Sequence, residues 1–152
     1  MRRSGNSLQP FPESRNFQIT MFITHEDIYE DPVPMGLNEF FSHHAEMHNV
    51  PAKDVILIRA TIEPGEGHGF HYHDEREEFL YILEGQIEQW VGEEKKLIGP
   101  GDVVFVPPGV IHASYNVGEG EAKLLAIFGN LGSDAELAVD VSEQEPWASI
   151  RG

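Results

Sequence analysis

The sequence predicts an all-β protein in which two antiparallel sheets form a jelly-roll barrel. Between Val55 and Phe128 the chain falls into short runs rich in Val, Ile, Phe, Tyr and Thr, the residue types that favour strands. Gly, Pro and acidic residues interrupt these runs at close spacing, which is typical of tight turns and of corners between sheets. Eight short strands joined in this way suit a double-sheet barrel.

The runs and the segments around them predict a leader, a barrel and a tail. Strands are predicted at residues 55–62, 69–73, 78–83, 86–91, 95–98, 103–106, 111–116 and 122–128. An extra strand is expected at 37–44, after an arm-like segment at 33–36. We expect residues 1–20 to be a flexible leader or an upstream mis-start, 21–132 a single barrel with its N-terminal arm, and 133–152 a C-terminal tail. The acidic start of this tail favours one helical turn.

The composition limits the chemistry and the partners. The chain has 152 residues, of which 40% are apolar, enough for one hydrophobic core. It has no Cys, so a metal ion must be held by His and carboxylates. The formal charge of −16 repels polyanions and excludes nucleic acid as the expected partner. No apolar stretch resembles a signal peptide or reaches the roughly 20 residues of a membrane span, so the expected location is cytoplasmic, without a membrane partner.

Four residues are candidate metal ligands. Side chains alternate along a strand, so His71 and His73 face the same side, about 7 Å apart. Glu78 opens the next strand and can enter the same layer from that neighbour, while His112 approaches from farther away. Three imidazoles and a carboxylate suit Fe, Mn, Co, Ni, Cu or Zn better than Mg or Ca. Any one of these histidines alone would more simply be a surface or hydrogen-bonded imidazole.

The joint pattern is more specific than any single residue. It reads Gly65-x5-His71-x-His73-x4-Glu78-x6-Gly85 and, after fifteen residues, Gly101-x5-Pro107-x-Gly109-x2-His112-x3-Asn116. These spacings match both signature motifs of the cupin superfamily, and the chain resembles its small single-domain members. The resemblance implies a double-stranded β-helix that holds one divalent metal ion per chain on His71, His73, Glu78 and His112. It gives Asn116 a structural, hydrogen-bonding role.

Strand alternation predicts which other side chains face the pocket. With Glu78 inward, Leu80 and Ile82 face inward too, and the outer face carries Phe79, Tyr81 and Leu83. Ser114 and Asn116 follow His112 inward, with Tyr115 outside. His68 shares the parity of Phe70 and Tyr72 and is expected to face away from the metal. Glu78 is then the candidate catalytic proton carrier, because Tyr72 and Tyr81 face away.

Several residues keep two interpretations. Arg59 either enters the pocket and holds a substrate carboxylate, or it lies outside as a solvated or ion-paired residue while Ile56, Ile58 and Ala60 face inward. The segment with His43, His44 and His48 has two interpretations, and an exposed or dimer-facing segment is favoured over a second metal cluster. His25 has no informative context.

The resemblance implies a small-molecule substrate and leaves three function classes. The first is a metal-dependent oxidoreductase of the dioxygenase type that brings an enol, catechol or thiol to O₂. The second is an isomerase, epimerase or lyase that uses the metal as a Lewis acid on sugar or keto-acid substrates. The third is a non-catalytic module that binds a small ligand. A homodimer is expected, since the outward aromatic and Leu side chains would otherwise remain exposed.

Overall fold

Eleven strands in the described residues form two antiparallel sheets that pack face to face. The structure is a computed structural model and describes residues 22–42, 52–130 and 133–152. The strands are β1 (Tyr29–Val33), β2 (Gly36–Phe40), β3 (Ile56–Ile62), β4 (Gly67–Tyr72), β5 (Glu78–Glu84), β6 (Ile87–Val91), β7 (Glu94–Ile98), β8 (Val103–Val106), β9 (His112–Asn116), β10 (Ala122–Phe128) and β11 (Val139–Asp140). The first sheet has the order β1-β2-β3-β10-β5-β8 and the second β11-β4-β9-β6-β7. A short 3-10 helix at His25–Asp27 precedes β1.

The predicted all-β jelly-roll fold class is confirmed. Each of the eight strands predicted between residues 55 and 128 is present, with ends shifted by two residues at most. The strand expected at 37–44 is β2, which ends at Phe40, and the arm-like segment at 33–36 is the turn of the β1–β2 hairpin. The expected leader, residues 1–20, lies outside the described residues.

The helical turn predicted at the start of the tail is wrong. Residues 133–138 contain no helix and lead directly into β11, which pairs with β4 at Tyr72 and His71. Beyond β11 the chain turns back, and Trp147 stacks on Phe70 with ring centroids 5.2 Å apart. The apolar residues of the tail therefore cover the outer face of the second sheet.

Alternating burial along the strands produces two apolar layers. The main core lies between the sheets and is built from inward-facing residues of both. A smaller cluster outside the second sheet contains Phe70, Trp90 and Val141, with Tyr72 and Tyr115 packed against it. On β5 the predicted alternation is confirmed: Leu80 and Ile82 are buried, whereas Phe79, Tyr81 and Leu83 are exposed.

Asn116 joins the two sheets near one end of the barrel. Its amide Nδ2 donates to the carbonyls of Ile62 and Gly120 at 2.8 Å each, and its Oδ1 accepts from the backbone N–H of Gly118. All hydrogen-bonding groups of this buried side chain are thereby used by the backbone. The structural role expected for Asn116 is confirmed.

Among the described residues, no helix has the length and apolar character needed to cross a membrane.

Candidate metal centre

The four candidate ligands meet between the two sheets. His71 lies on β4, His73 follows its end, and His112 opens β9, which pairs directly with β4 so that His71 and His112 stand opposite each other. Glu78 opens β5 in the other sheet and reaches the site from across the barrel. The placement of Glu78 on a strand neighbouring His71 and His73 is therefore wrong, because residues 74–77 carry the chain from one sheet to the other. The neighbour of β4 is the strand of His112.

The reactive atoms of this quartet lie close together and are buried. One ring nitrogen from each of His71, His73 and His112 lies within 4.8 Å of the others. Glu78 Oε2 lies 3.2 Å from His73 Nε2 and 2.8 Å from His112 Nε2. His73, Glu78 and His112 are each at most 3% exposed. This arrangement brings together all four residues that the sequence indicated.

Backbone carbonyls fix the orientation of each imidazole. Nδ1 of His71 faces the carbonyl of Gly69 at 2.6 Å, and Nδ1 of His112 faces that of Val110 at 2.9 Å. Nδ1 of His73 bonds the carbonyl of Leu137. A carbonyl only accepts, so each Nδ1 carries a hydrogen and donates it, and Nε2 is the ring atom left to face the other candidate ligands. Carbonyl partners of this kind commonly orient histidines that bind metals.

The resulting donor set fits a divalent transition metal ion. His112 Nε2 is buried and has no hydrogen-bond partner among the described residues. The carboxylate of Glu78, which only accepts hydrogen bonds, lies 2.8 Å from it. A cation would bind both groups, and ligand atoms about 2.1 Å from an ion at right angles lie about 3 Å apart, near the 3.2 and 2.8 Å between Glu78 Oε2 and the two imidazole nitrogens. Imidazole and carboxylate donors together suit the ions from Mn to Zn.

Protonation also favours ligand binding. Burial, reinforced by the adjacent His112, lowers the pKa of His71 to about 4. Burial alone would raise the pKa of Glu78, but its contacts with His112 and His73 outweigh burial and lower the pKa to about 2. At neutral pH, His71 is neutral and Glu78 is ionised, and these are the forms that coordinate a metal.

His68 faces the pocket, so the prediction that it faces away is wrong. On β4, His68 pairs with Ser114 and His71 with His112, so three steps on β4 match two steps on β9. This β-bulge adds one residue to β4 and resets the alternation, so that His68 and His71 face the same side. Phe70, which parity had grouped with His68, is buried in the outer cluster.

Several residues of the site were not predicted, including Asn38, Leu124 and Phe128 on the pocket walls. Leu137 and Ala138 line the pocket, and buried Arg76 holds the segment before them. The guanidinium of Arg76 donates to the carbonyls of Ser133, Ala135 and Glu136 at 2.9 to 3.1 Å. We call residues 133–138 the strap. The sequence offers one signal for it: Arg76 is the single cation in an otherwise acidic turn.

Arg59 lies outside the pocket, and the interpretation as an ion-paired residue is the correct one. Its Nε donates to Glu39 Oε2 at 2.6 Å, whereas Ile56, Ile58 and Ala60 are buried between the sheets. His43, His44 and His48 lie outside the described residues, so their interpretation stays a prediction. His25 is exposed in the short 3-10 helix.

The pocket above the four ligands has a volume of about 200 Å³. Its other lining residues are Asn38, His68, Leu80, Ser114, Leu124, Phe128, Leu137 and Ala138. These are mostly apolar, and the described lining includes neither Lys nor Arg. The pocket is smaller than the roughly 300 Å³ at the lower end of ordinary ligand sites, which favours a small substrate.

Comparison with known proteins places these features in one family. The family model described as a cupin domain matches residues 58–128. The chain is 32% identical over 90 residues to protein SchB of Streptomyces halstedii, covering 59% of this chain and 65% of that one. It is 33% identical over 57 residues to quercetin 2,3-dioxygenase of Bacillus subtilis, covering 38% and 17%. The matches thus span less than two thirds of the length of these relatives.

A solved structure gives the same result at the level of the fold. The crystal structure of a predicted oxalate decarboxylase from Thermotoga maritima superposes with a TM-score of 0.60 at 26% identity, covering 73% of this chain and all of that one. This likeness agrees with three features described above: the two sequence motifs, the two-sheet barrel, and the convergence of three histidines and a glutamate. The domain formed by residues 58–128 belongs to the cupin superfamily.

Proposed function

We propose that this chain is a metal-dependent small-molecule enzyme, a dioxygenase-like oxidoreductase with one divalent transition metal ion on His71, His73, Glu78 and His112. The observation that carries the proposal is the convergence of these ligand atoms on a small pocket with apolar walls. When bound, the ion supplies open coordination positions at which a substrate and O₂ meet. The partial likeness to a quercetin 2,3-dioxygenase supports this class.

The protein's own residues contribute orientation, water exclusion and proton transfer. The carbonyls behind His71, His73 and His112 keep the three Nε2 atoms directed at one point. Leu80, Leu124, Phe128 and Leu137 surround the position of the substrate and exclude water. Glu78 is the only carboxylate in the described lining, so its carboxylate oxygens are the place to accept the proton of an enol or thiol that binds as its anion.

The charge of the lining favours oxidoreductase chemistry over sugar or keto-acid chemistry. A phosphate or a free carboxylate is commonly held by Arg or Lys. The pocket lining in the described part of the chain includes neither, and Arg59 is paired with Glu39 outside the pocket. A neutral substrate that reaches the metal through one ionisable group fits these walls better.

A lyase is the second candidate. The likeness to a predicted oxalate decarboxylase favours it, since an ion held by the same four residues would supply Lewis-acid chemistry for bond cleavage without net oxidation. The presence or absence of oxygen consumption separates the two candidates. A non-catalytic module that only binds its ligand would form no product, either in the presence or in the absence of oxygen.

Metal analysis and oxygen uptake test the proposal. Protein purified without added metal should contain about one transition metal ion per chain by elemental analysis. Loaded with Fe(II), it should consume O₂ with at least one member of a panel of small diketones, catechols and thiols. Product formation without oxygen uptake would support the lyase instead. An absence of bound metal after reconstitution would contradict both enzyme proposals.

Ligand variants tie any activity to the proposed residues. Glu78→Gln keeps the size of the side chain and removes the charge, so we expect metal affinity to fall by at least about 10- to 100-fold and activity to fall with it. The matched control is Glu77→Gln, because Glu77 is the adjacent carboxylate and is exposed. Equal metal affinity in the two variants, measured by competition with a chelator, would remove Glu78 from the site.

A further inference from the structure

One half-buried imidazole in the pocket, that of His68, has no task in the proposed metal site. The bulge in β4 turns His68 toward the pocket between Gly67 and Gly69, which press against the layer outside the sheet. A Cβ on Gly67 would lie 2.3 Å from Tyr115 Cδ1, and one on Gly69 would lie 2.5 Å from Ser142 Oγ. The lack of side chains at these two positions allows the strand to approach this layer. The local backbone is therefore built around an inward His68.

His68 has an unused hydrogen-bonding atom. Its Nε2 is buried and has no partner among the described residues. An imidazole nitrogen left in this state carries an uncompensated desolvation penalty, which a hydrogen-bonding partner entering the pocket would offset. Among the described residues, the histidine nitrogens close enough to share one ion are those of His71, His73 and His112, and His68 is not one of them. A substrate atom is thus the fitting partner.

Asn38 offers a second unused group on the opposite wall. It lies on β2 in the first sheet, whereas His68 lies on β4 in the second, and both line the same pocket. The hydrogen bonds found among the described residues include none from the Asn38 side chain. Ser114, the remaining polar residue of the lining outside the metal quartet, already donates to Gln89 at 2.7 Å.

We propose that His68 and Asn38 form a substrate subsite beside the metal, and that the substrate is a small neutral molecule with a hydroxyl or carbonyl oxygen in addition to its metal-binding group. This inference rests on the proposed metal site and deepens it. The neutral imidazole of His68 offers one donor and one acceptor, which suit either oxygen function. The apolar walls around both residues fit the carbon skeleton between the two polar groups.

Two thiols of equal length test the subsite in the full chain loaded with Co(II). The probes are 3-mercapto-1-propanol and 1-butanethiol, which share a thiolate for the metal and differ in a terminal hydroxyl against a methyl group. The cobalt–thiolate absorption band gives the Kd of each probe, and the ratio of the two Kd values reports recognition of the hydroxyl. This readout needs no turnover.

Variants of His68 should change that ratio and leave the metal in place. We expect His68→Leu to retain cobalt and to shift the ratio about 3- to 10-fold toward 1-butanethiol, the range of one lost hydrogen bond. His68→Gln keeps a polar group, so its ratio of the two Kd values should lie closer to that of the unaltered chain. Asn38→Leu provides an independent second variant and should shift the ratio in the same direction.

The outcomes separate this inference from the proposed function. An unchanged ratio in both Leu variants, with cobalt retained, would overturn the subsite and leave the metal site standing. Loss of cobalt from His68→Leu, with cobalt retained in Asn38→Leu, would make His68 a ligand and overturn the subsite as well. Failure of the unaltered chain to bind cobalt would contradict the proposed function itself.

Discussion

At the scale of single residues, the three imidazoles differ in how far along the chain their anchors lie. His71 and His112 each bond the carbonyl two residues before them, those of Gly69 and Val110. His73 instead bonds the carbonyl of Leu137, 64 positions away. Two of the three rings are therefore oriented by their own strand, and the third depends on the packing of the strap.

The Arg59–Glu39 pair is a residue-scale feature whose effect on stability depends on pH. Glu39 is 5% exposed, and its hydrogen bonds from Arg59 lower its pKa against the opposing effect of burial. A carboxyl with a lowered pKa stabilises the fold above its ordinary pKa of about 4.3, and this contribution is lost as the pH falls through the lowered value.

Arg59→Met should therefore cost stability only while Glu39 is ionised. We expect the free energy of unfolding to fall by about 1 to 2 kcal/mol at pH 7, because the buried carboxylate loses its partner. The loss should shrink below pH about 4. Urea unfolding of metal-free protein at both pH values measures it, with Lys95→Met, which affects an exposed pair, as the control. A loss that does not vary with pH would contradict the argument.

The metal ligands could be predicted residue by residue, but their neighbours could not. Residue type and spacing define His71, His73, Glu78 and His112, because both motifs belong to contiguous segments. His68 was misplaced because alternation holds only in a regular strand, and no residue type announces a bulge. The orientation of Arg59 could not be predicted, because its strand has apolar residues at both alternating sets of positions and either set could face the core.

At the scale of elements, the strap completes the wall of the pocket. Arg76 binds three of its carbonyls, and β11 joins it to the edge of the second sheet beside His71. Since the next carbonyl, that of Leu137, orients His73, the strap connects Arg76 to a candidate metal ligand. Arg76 does not line the pocket, so we expect it to act as a positioning residue.

Loss of Arg76 should loosen the metal site as well as the strap. We expect Arg76→Met to lower the free energy of unfolding by about 3 kcal/mol, since a buried guanidinium with several hydrogen bonds is removed. Metal affinity should fall by about 10-fold because His73 loses a fixed acceptor. Hydrogen exchange of residues 133–138 and chelator competition measure the two effects.

Two further variants decide whether the effect passes through the strap. Arg76→Lys, which retains a donor, should restore part of the metal affinity. Arg151→Met removes a partly exposed ion pair with Glu88 and should leave metal affinity unchanged. Unaltered exchange in the strap of Arg76→Met, together with reduced metal affinity, would contradict the proposed connection.

The strands were predictable and the tail was not, for a physical reason. The eight strands between residues 55 and 128 are apolar runs bounded by turn residues, and this signal can be read from each segment by itself. The strap and β11 have no such periodicity, since the structure stabilises them through contacts with Arg76, β4 and the outer cluster. Polar composition alone indicated a tail, while Val141, Trp147 and Ile150 in fact pack on the second sheet.

At the scale of the whole molecule, the first sheet carries an apolar outer surface on β5 and β8. Phe79 on β5 and Phe105 on β8 are 43% and 47% exposed, with ring centroids 5.0 Å apart. Tyr81, Leu83 and Val103 extend this surface along the same two strands. Contiguous apolar surface of this kind on a chain of charge −16 favours association with an apolar partner over contact with an acidic one.

We expect this face to pair with a second copy of the chain. The double variant Phe79→Glu/Phe105→Glu should convert a dimer to a monomer in light scattering after size-exclusion chromatography. Leu97→Glu is the matched control, because Leu97 is 61% exposed but lies on β7 in the other sheet. A monomeric unaltered chain, or dissociation by the control alone, would contradict this expectation.

The pocket can form only late in synthesis, because its lining residues are spread along most of the chain. Its walls run from Asn38 to Ala138, so the chain must emerge as far as Ala138 before the cavity can close. Domains dominated by pairing between distant segments fold slowly, in milliseconds to seconds. Until Leu137 arrives, His73 lacks its carbonyl acceptor. We therefore expect nascent chains that end before the strap to bind metal more weakly than the full chain, which would place metal loading late in biosynthesis.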